Sequence, residues 1–467
     1  MTSKKTIFLL GFLFLNIIFF LFNYTEFFLI NVLFLINFLI LYLILIKHLK
    51  SQPNLGISSF IVFNYLFFYL APIIQINNLV YSNYQFPNSI TFDQQLVQTA
   101  ILSIIVFNII FSLTYYNLTK NYVANNQNYA SSEKFDFFKY YKNSFYVIII
   151  LSIIIIPFLS SFFLEGKSMM QAQRTGQYQG SFGKTSTLIV LKFLFYLPFF
   201  PAIYSIINKN KLSIYIIIFT IILLIIFKNP FFDKRHALGP IYLLLLTFYY
   251  TSIFKSNLKS VTLLFVILVI GYPAVSIITH NPQFRFEYDF TTFYYAGFDE
   301  VFLNVFNQLH YDAFANFMGA IKYYQVENVK IGYQLLGSIL FFVPRSIWPT
   351  KPLSSGEEVG WFLLNDYSLH FVNISQPFIG EGWINFGFIG ILIFPIVFAY
   401  IFYFFYKWSQ DKDKLKNVAY VFFSYHLIYL LRGDLMSGIA FFVGPFLAIY
   451  VVPKIISKIL NKNKLLN

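Results

Sequence analysis

The sequence predicts an all-α polytopic membrane protein of about twelve transmembrane helices, with both termini cytoplasmic and one large outer loop that carries short helices. Three observations carry that prediction. Of 467 residues, 58% are hydrophobic and 11% charged, whereas a soluble domain has about 25% charged residues with which to cover its surface. Mean hydropathy is +0.65. The apolar residues fall in runs of roughly 16 to 24, enough to cross ~30 Å of hydrocarbon at ~1.5 Å per helical residue.

The runs are 7–22, 27–46, 57–74, 97–117, 145–163, 186–207, 212–227, 237–254, 260–279, 383–406, 417–431 and 436–453. The first follows Lys4 and Lys5 and could pass for a secretory signal. It is followed by Asn23-Tyr24-Thr25-Glu26 instead of a small-residue cleavage site, so a retained helix is expected. Pro198, Pro201, Pro273 and Pro395 are expected to mark kinks whose freed backbone groups neighbouring helices satisfy.

Orientation follows from the bias of basic residues toward cytoplasmic loops. With the N-terminus inside, 20 lysines and only four acids, Glu133, Asp136, Asp411 and Asp413, fall on the cytoplasmic side. The outer side then holds 12 basic residues and 15 acids, and Lys192 lies inside a helix, snorkelling outward along its stem. The net charge of +14 is thus a lysine surplus that orients the chain, with no implication of nucleic acid. Cys is absent, which excludes disulfides, thiolate metal sites and a cysteine nucleophile.

The organisation is nine helices over 1–280, a large extracytoplasmic loop at 281–382, and three helices with a basic cytoplasmic tail over 383–467. The loop carries ten of the 19 acids. Within it, Val301, Phe302, Val305, Phe306 and Leu309 recur at helical spacing, and Ile331–Val343 is too short to span, which suits an interfacial or re-entrant helix.

Only five arginines occur, Arg174, Arg235, Arg285, Arg345 and Arg432, and this topology places all five outside. Topology signals alone would have left some inside. Guanidinium differs from ammonium in offering a planar fork of donors that holds phosphate or carboxylate through two parallel hydrogen bonds. The plainer account pairs each with a nearby acid: Arg235 with Asp233, Arg285 with Glu287 or Asp289, and Arg432 with Asp434. Arg235, Arg345 and Arg432 sit where outer helix ends should meet, at a level that suits a lipid-linked anion such as a polyprenyl diphosphate. The Arg432-Gly433-Asp434 tripeptide reads as a tight turn between the last two helices, not as an adhesion motif.

The stretch Phe342–Gly356, with Pro344-Arg345, Trp348-Pro349 and Lys351-Pro352, resembles the Wzy-type O-antigen and oligosaccharide repeat-unit polymerases. Asn229-Pro230 through Arg235, the run Gly380-Glu381-Gly382-Trp383 continuing to Gly390, and the Arg432-Gly433-Asp434 turn support it. The resemblance implies a membrane glycosyltransferase of the C type in the bacterial cytoplasmic membrane, with its active site facing outward. Its partners would be undecaprenyl-diphosphate-linked glycans as donor and acceptor, membrane lipids and a chain-length regulator protein. It implies neither a nucleotide-sugar donor nor a metal, and no cofactor is expected. Asp411-Lys412-Asp413 reads as a solvated charge run.

Glycosyl transfer from a diphosphate needs positive charge for the leaving group and a base for the attacking hydroxyl. Arg235, Arg345 and Arg432 are the expected diphosphate ligands, Lys351 a secondary contact, and Arg174 and Arg285 guides for acceptor or headgroup. Glu381 is the first choice of base, amid Gly380, Gly382, Gly387 and Gly390, where missing side chains admit a ligand or a neighbouring helix. A helix-start acid favoured by the macrodipole is its plainer reading. His310, with Asp312 two residues on, and His370 are the other candidates, and Asp434 would orient Arg432 or act as base itself. Trp348, Trp361 and Trp383 could stack on sugar rings or anchor at the interface. An O-antigen ligase-like transferase would share these residues. A lipid-linked oligosaccharide flippase is the reading from another class, but the large outer loop has no counterpart in the other half, as transporter repeats would require.

Overall fold

A computed structural model describes residues 3–81, 90–126, 136–159, 193–230, 235–253, 255–271, 306, 309–327, 331–367, 372 and 374–462. Every long element among them is helical. Seven helices are long and apolar enough to cross a membrane. They are α1 (Ser3–Phe22), α2 (Phe28–Lys50), α3 (Leu55–Tyr81), α4 (Gln94–Lys120, its helix running on to Asn126), α5 (Phe137–Phe158), α14 (Phe388–Ser409) and α16 (Leu435–Asn461). Between them lie α6 (Phe199–Ile207), α7 (Ile214–Phe227), α8 (Arg235–Tyr249), α9 (Asn257–Phe265), α10 (Ala313–Val326), α11 (Tyr333–Ile339), α12 (Ser355–Tyr367), α13 (Phe378–Phe386) and α15 (Lys414–Arg432). The protein is an α-helical membrane protein.

Burial sorts the helices. α3 carries no charged residue and is enclosed from Leu55 to Ile76, as expected of a helix without a charged face. α4 packs against α2 and α14, and α15 against α3, α8, α14 and α16. α15 is as long as a span, yet Asn417, Ser424 and His426 lower its hydropathy, because it sits inside the bundle where those groups find partners. α1 exposes Ile7, Leu10, Phe14, Leu15 and Leu21 outward, a surface suited to lipid.

The lysine-bearing junctions gather at one end of the bundle. Lys5 Nζ donates to the Leu49 carbonyl. Asn257 Nδ2 donates to the carbonyls of His48 (2.7 Å), Gln52 (3.1 Å) and Ser51 (3.2 Å), and Asn54 N–H donates to Asn257 Oδ1 at 2.7 Å. Tyr406 reaches Gln52 and Tyr420 reaches Asn54, while Tyr141 joins Asp413 and Asn461 joins the Tyr140 carbonyl. Asp411 pairs with Lys416 at 2.5 Å and Asp413 caps α15 through Leu415 N–H at 2.9 Å, so these two acids hold a helix start instead of forming a free solvated run.

One predicted boundary moves. The run at 383–406 is two helices, α13 and α14, broken at Gly387, whose φ of 59° lies in the left-handed region that favours glycine. The two helices then press together so closely that a Cβ on Gly390 would overlap the Gly382 carbonyl. The space at the glycines that sequence alone left open to a ligand or a helix is taken by the protein itself: Gly382 and Gly390 face each other's backbone, Gly387 faces Tyr324 of α10, and Gly380 faces the Gln376 side chain. The run at 300–325 is described from Phe306 onward, with a 3-10 turn at Leu309–Tyr311 leading into α10. Val301, Phe302 and Val305 lie outside the described residues. The short apolar run at 331–343 contains α11, with Ile331, Leu336, Ile339 and Phe342 exposed.

Candidate functional site at the end opposite the lysines

Arg432 closes α15, and its Nη2 donates to Asp312 Oδ1 at 2.9 Å. Asp312 stands at the N-cap position of α10 yet makes no side-chain cap bond. Its carboxylate turns instead to Arg432 and to Ser375, whose Oγ donates to the same oxygen at 2.7 Å. Asn316, one turn along α10, steadies Ser375 by donating from Nδ2 to its carbonyl at 2.6 Å and its hydroxyl at 3.0 Å. The turn ahead of Asp312 is held in its turn by buried Gln75 of α3, which donates to the carbonyls of Phe306 (2.7 Å) and Tyr311 (3.0 Å). The Asp312 side chain is 6% exposed and that of Arg432 24%, so the acid is enclosed while the arginine side chain is partly exposed, with its Nε buried.

Glu381 lies in the first turn of α13 and is fully enclosed. Its Oε1 accepts the Leu435 N–H at 2.7 Å and the Ser355 hydroxyl, which ties α13 to the starts of α16 and α12; its Oε2 is buried with no hydrogen-bond partner. Burial pushes the Glu381 carboxyl up to about 7; the Leu435 and Ser355 bonds oppose the shift and nearby Asp434 adds to it. Asp434 is itself raised by burial, and its Oδ1 caps α16 by accepting the Ser437 N–H at 2.8 Å. The expected pairing of Arg432 with Asp434 is therefore replaced: Asp434 is committed to the turn it sits in, and Arg432 reaches across to the large loop.

Arg345 and Lys351 face each other across the stretch that carried the family resemblance. Arg345 donates from Nη1 to the Lys351 carbonyl and from Nη2 to the Pro352 carbonyl at 3.1 Å. Lys351 is buried and donates from Nζ to the carbonyls of Phe341 (2.7 Å) and Val343 (2.9 Å). Burial, reinforced by Arg345, lowers the Lys351 ammonium to about 8. The two cations thus brace the loop, and Lys351, expected as a secondary contact, is engaged with the Phe341 and Val343 carbonyls. Trp348 packs edge-to-face on Tyr333 at 5.7 Å. Burial raises the Glu357 carboxyl above its ordinary value; Arg345 opposes the shift and Asp434 adds to it.

Arg235 is the first residue of α8, with its side chain outside the described residues, and His310 lies half-buried in the turn just before Asp312. Arg174, Arg285, His370 and Lys192 lie outside the described residues altogether. Of the predicted site residues, the fold brings together Arg432, Glu381, Asp434, Arg345 and Lys351. It adds Asp312, Ser355, Ser375 and Asn316, and beside them Gln376, which is enclosed against Gly380 with neither amide atom hydrogen-bonded. Asp312 stands out in the sequence only as the acid two residues after His310, one of ten in the loop, and single Ser, Asn and Gln residues recur throughout the chain without a distinguishing signal.

The chain matches no family model, no curated protein and no solved structure.

Proposed function

We propose that the protein is a membrane glycosyltransferase that polymerises undecaprenyl-diphosphate-linked oligosaccharide repeat units into a surface polysaccharide, with twelve spans, both termini cytoplasmic and the arginine-bearing end outward. The observation that carries this reading is the placing of a held, partly exposed arginine near a buried carboxyl. Arg432 is held by Asp312, and Glu381 binds the backbone of Leu435, the third residue after Arg432.

In the proposed reaction a hydroxyl of the acceptor glycan attacks the anomeric carbon of the donor. The new C–O bond forms as the bond from that carbon to the diphosphate oxygen breaks, and the hydroxyl proton passes to the Glu381 carboxylate. Arg432, joined by Arg235 from the start of α8 and by Arg345, stabilises the charge that develops on the diphosphate. Preorganised charge of this kind is often the largest catalytic contribution. A carboxyl at about 7 suits general-base work at neutral pH, being ionised in a large fraction of molecules yet still basic.

The test is the length distribution of the cell's surface glycan. Arg432→Ala, and separately Arg345→Ala or Arg235→Ala, should collapse a ladder of lengths to one repeat unit at unchanged protein level. Normal ladders in all three would overturn the diphosphate clamp. Purified protein given synthetic lipid-linked repeats in detergent should lengthen them, whereas a flippase, lacking a bilayer to act across, would leave them unchanged and a ligase would move the glycan to a different acceptor.

A further inference from the structure

We infer that Asp312 is a positioning residue for the reaction, one that sets the guanidinium of Arg432 in the orientation that receives the diphosphate. The inference rests on the reading of Arg432 as a diphosphate ligand.

The case is geometric. Arg432 ends a helix beside Gly433, and a long, flexible side chain at such a place needs a partner to set the direction of its guanidinium. Asp312 does so from 120 residues away, at 2.9 Å. An acid at the N-cap position ordinarily uses its carboxylate on the helix's own N–H groups, as Asp434 and Asp413 do in this chain. Asp312 forgoes that cap bond, and its carboxylate is turned toward Arg432 and Ser375 instead.

Three further contacts hold Asp312 itself. Ser375 Oγ donates to the oxygen that also receives Arg432, Asn316 locks Ser375 in place, and Gln75 of the enclosed helix α3 fixes the preceding turn. The acid is nearly sealed while the arginine is a quarter exposed, the arrangement expected if the pair presents one edge of the guanidinium outward. Charge-assisted contacts between arginine and phosphate are directional, so the orientation of the fork matters as much as its charge. Small misplacements of a binding group cost rate out of proportion to their size.

Farnesyl diphosphate serves as the probe, with farnesol as the uncharged control, and binding to the purified full-length protein in detergent is the measurement. Asp312→Asn, which keeps the shape and removes the charge, should weaken farnesyl diphosphate binding by about tenfold and leave farnesol binding unchanged. Asp312→Glu should recover part of the loss, which a purely structural role for the acid would not give. If Arg432→Ala binds farnesyl diphosphate like the wild type, the clamp reading itself fails. If Arg432→Ala loses binding while folded Asp312→Asn retains it, the clamp stands and the positioning role is overturned. Should Asp312→Asn not fold, Ser375→Ala decides the matter, since it withdraws one donor from the carboxylate. A roughly threefold loss supports the inference, and unchanged binding overturns it.

Discussion

Glu381 Oε1 accepts the backbone N–H of Leu435 at 2.7 Å, so a carboxyl on one short helix holds the first turn of the last helix in place. The same oxygen receives the Ser355 hydroxyl. Three chain segments that are far apart in sequence therefore share one buried acid. Its second oxygen is enclosed and without a hydrogen-bond partner.

The first prediction concerns that acid and pH. On the proposed function, the polymerising activity of the purified protein should rise as Glu381 ionises, with the acidic limb of the profile centred near pH 7. Glu381→Gln should abolish the activity at every pH. Stability should move the other way. The folded state keeps the Glu381 proton up to about 7 and the unfolded chain loses it near 4.5, so between those values folding binds a proton and stability falls as pH rises. The full difference is on the order of 3 kcal/mol. Thermal unfolding in detergent should show a shallower decline for Glu381→Gln, while Asp434, also raised by burial, leaves a residual slope of the same sign.

A second prediction tests the α13–α14 junction. A methyl group on Gly390 would meet the Gly382 carbonyl, which is backbone and cannot swing aside. Gly390→Ala should lower stability by about 1–3 kcal/mol or more, measured by thermal unfolding in detergent. Gly11→Ala, at a position with nothing within 4 Å of the added carbon, is the matched control and should be near neutral.

Gln376 supplies the third prediction. Its side chain is fully enclosed and neither amide atom has a hydrogen-bond partner. A buried polar group left in that state costs roughly 1–3 kcal/mol. Gln376→Leu, of similar bulk, should raise the unfolding midpoint, and a lower midpoint would mean that the amide is satisfied in the membrane-embedded protein.

The loop brace yields a fourth. Arg345 spans two carbonyls with a planar fork and Lys351 caps two more. Arg345→Lys replaces the fork by a single point of charge, and Lys351→Met removes the cap. Both should speed limited proteolysis between Phe341 and Ser355 several-fold, by an open-population argument, while the digestion pattern elsewhere stays unchanged.

Much of the architecture was legible without coordinates, because hydrophobic length and lysine placement are local properties. The lysine-bearing junctions expected on one side do meet at one end of the bundle, through Lys5, Asn54, Asn257 and Asp413. α15 shows what local reading leaves out: its apolar run predicts a span, and its mixed composition reflects a helix packed among other helices. The division at Gly387 was equally hidden, since an apolar run reads the same whether its backbone is straight or reversed.

The sequence by itself determined the class: a composition this apolar, with so little charge, has to be covered by lipid, and long continuous apolar runs satisfy their backbone groups there as helices. It also singled out the arginines and Glu381 by residue type. Only the tertiary structure decided how they are used. Arg432 could pair with the adjacent Asp434 or with any of the loop acids, and the choice of Asp312 depends on Asp434 being spent on the α16 cap and on Gln75 anchoring the Asp312 turn. A local pattern records which groups a chain carries, but the competition among them for partners is settled by distances between segments that only the packed fold defines.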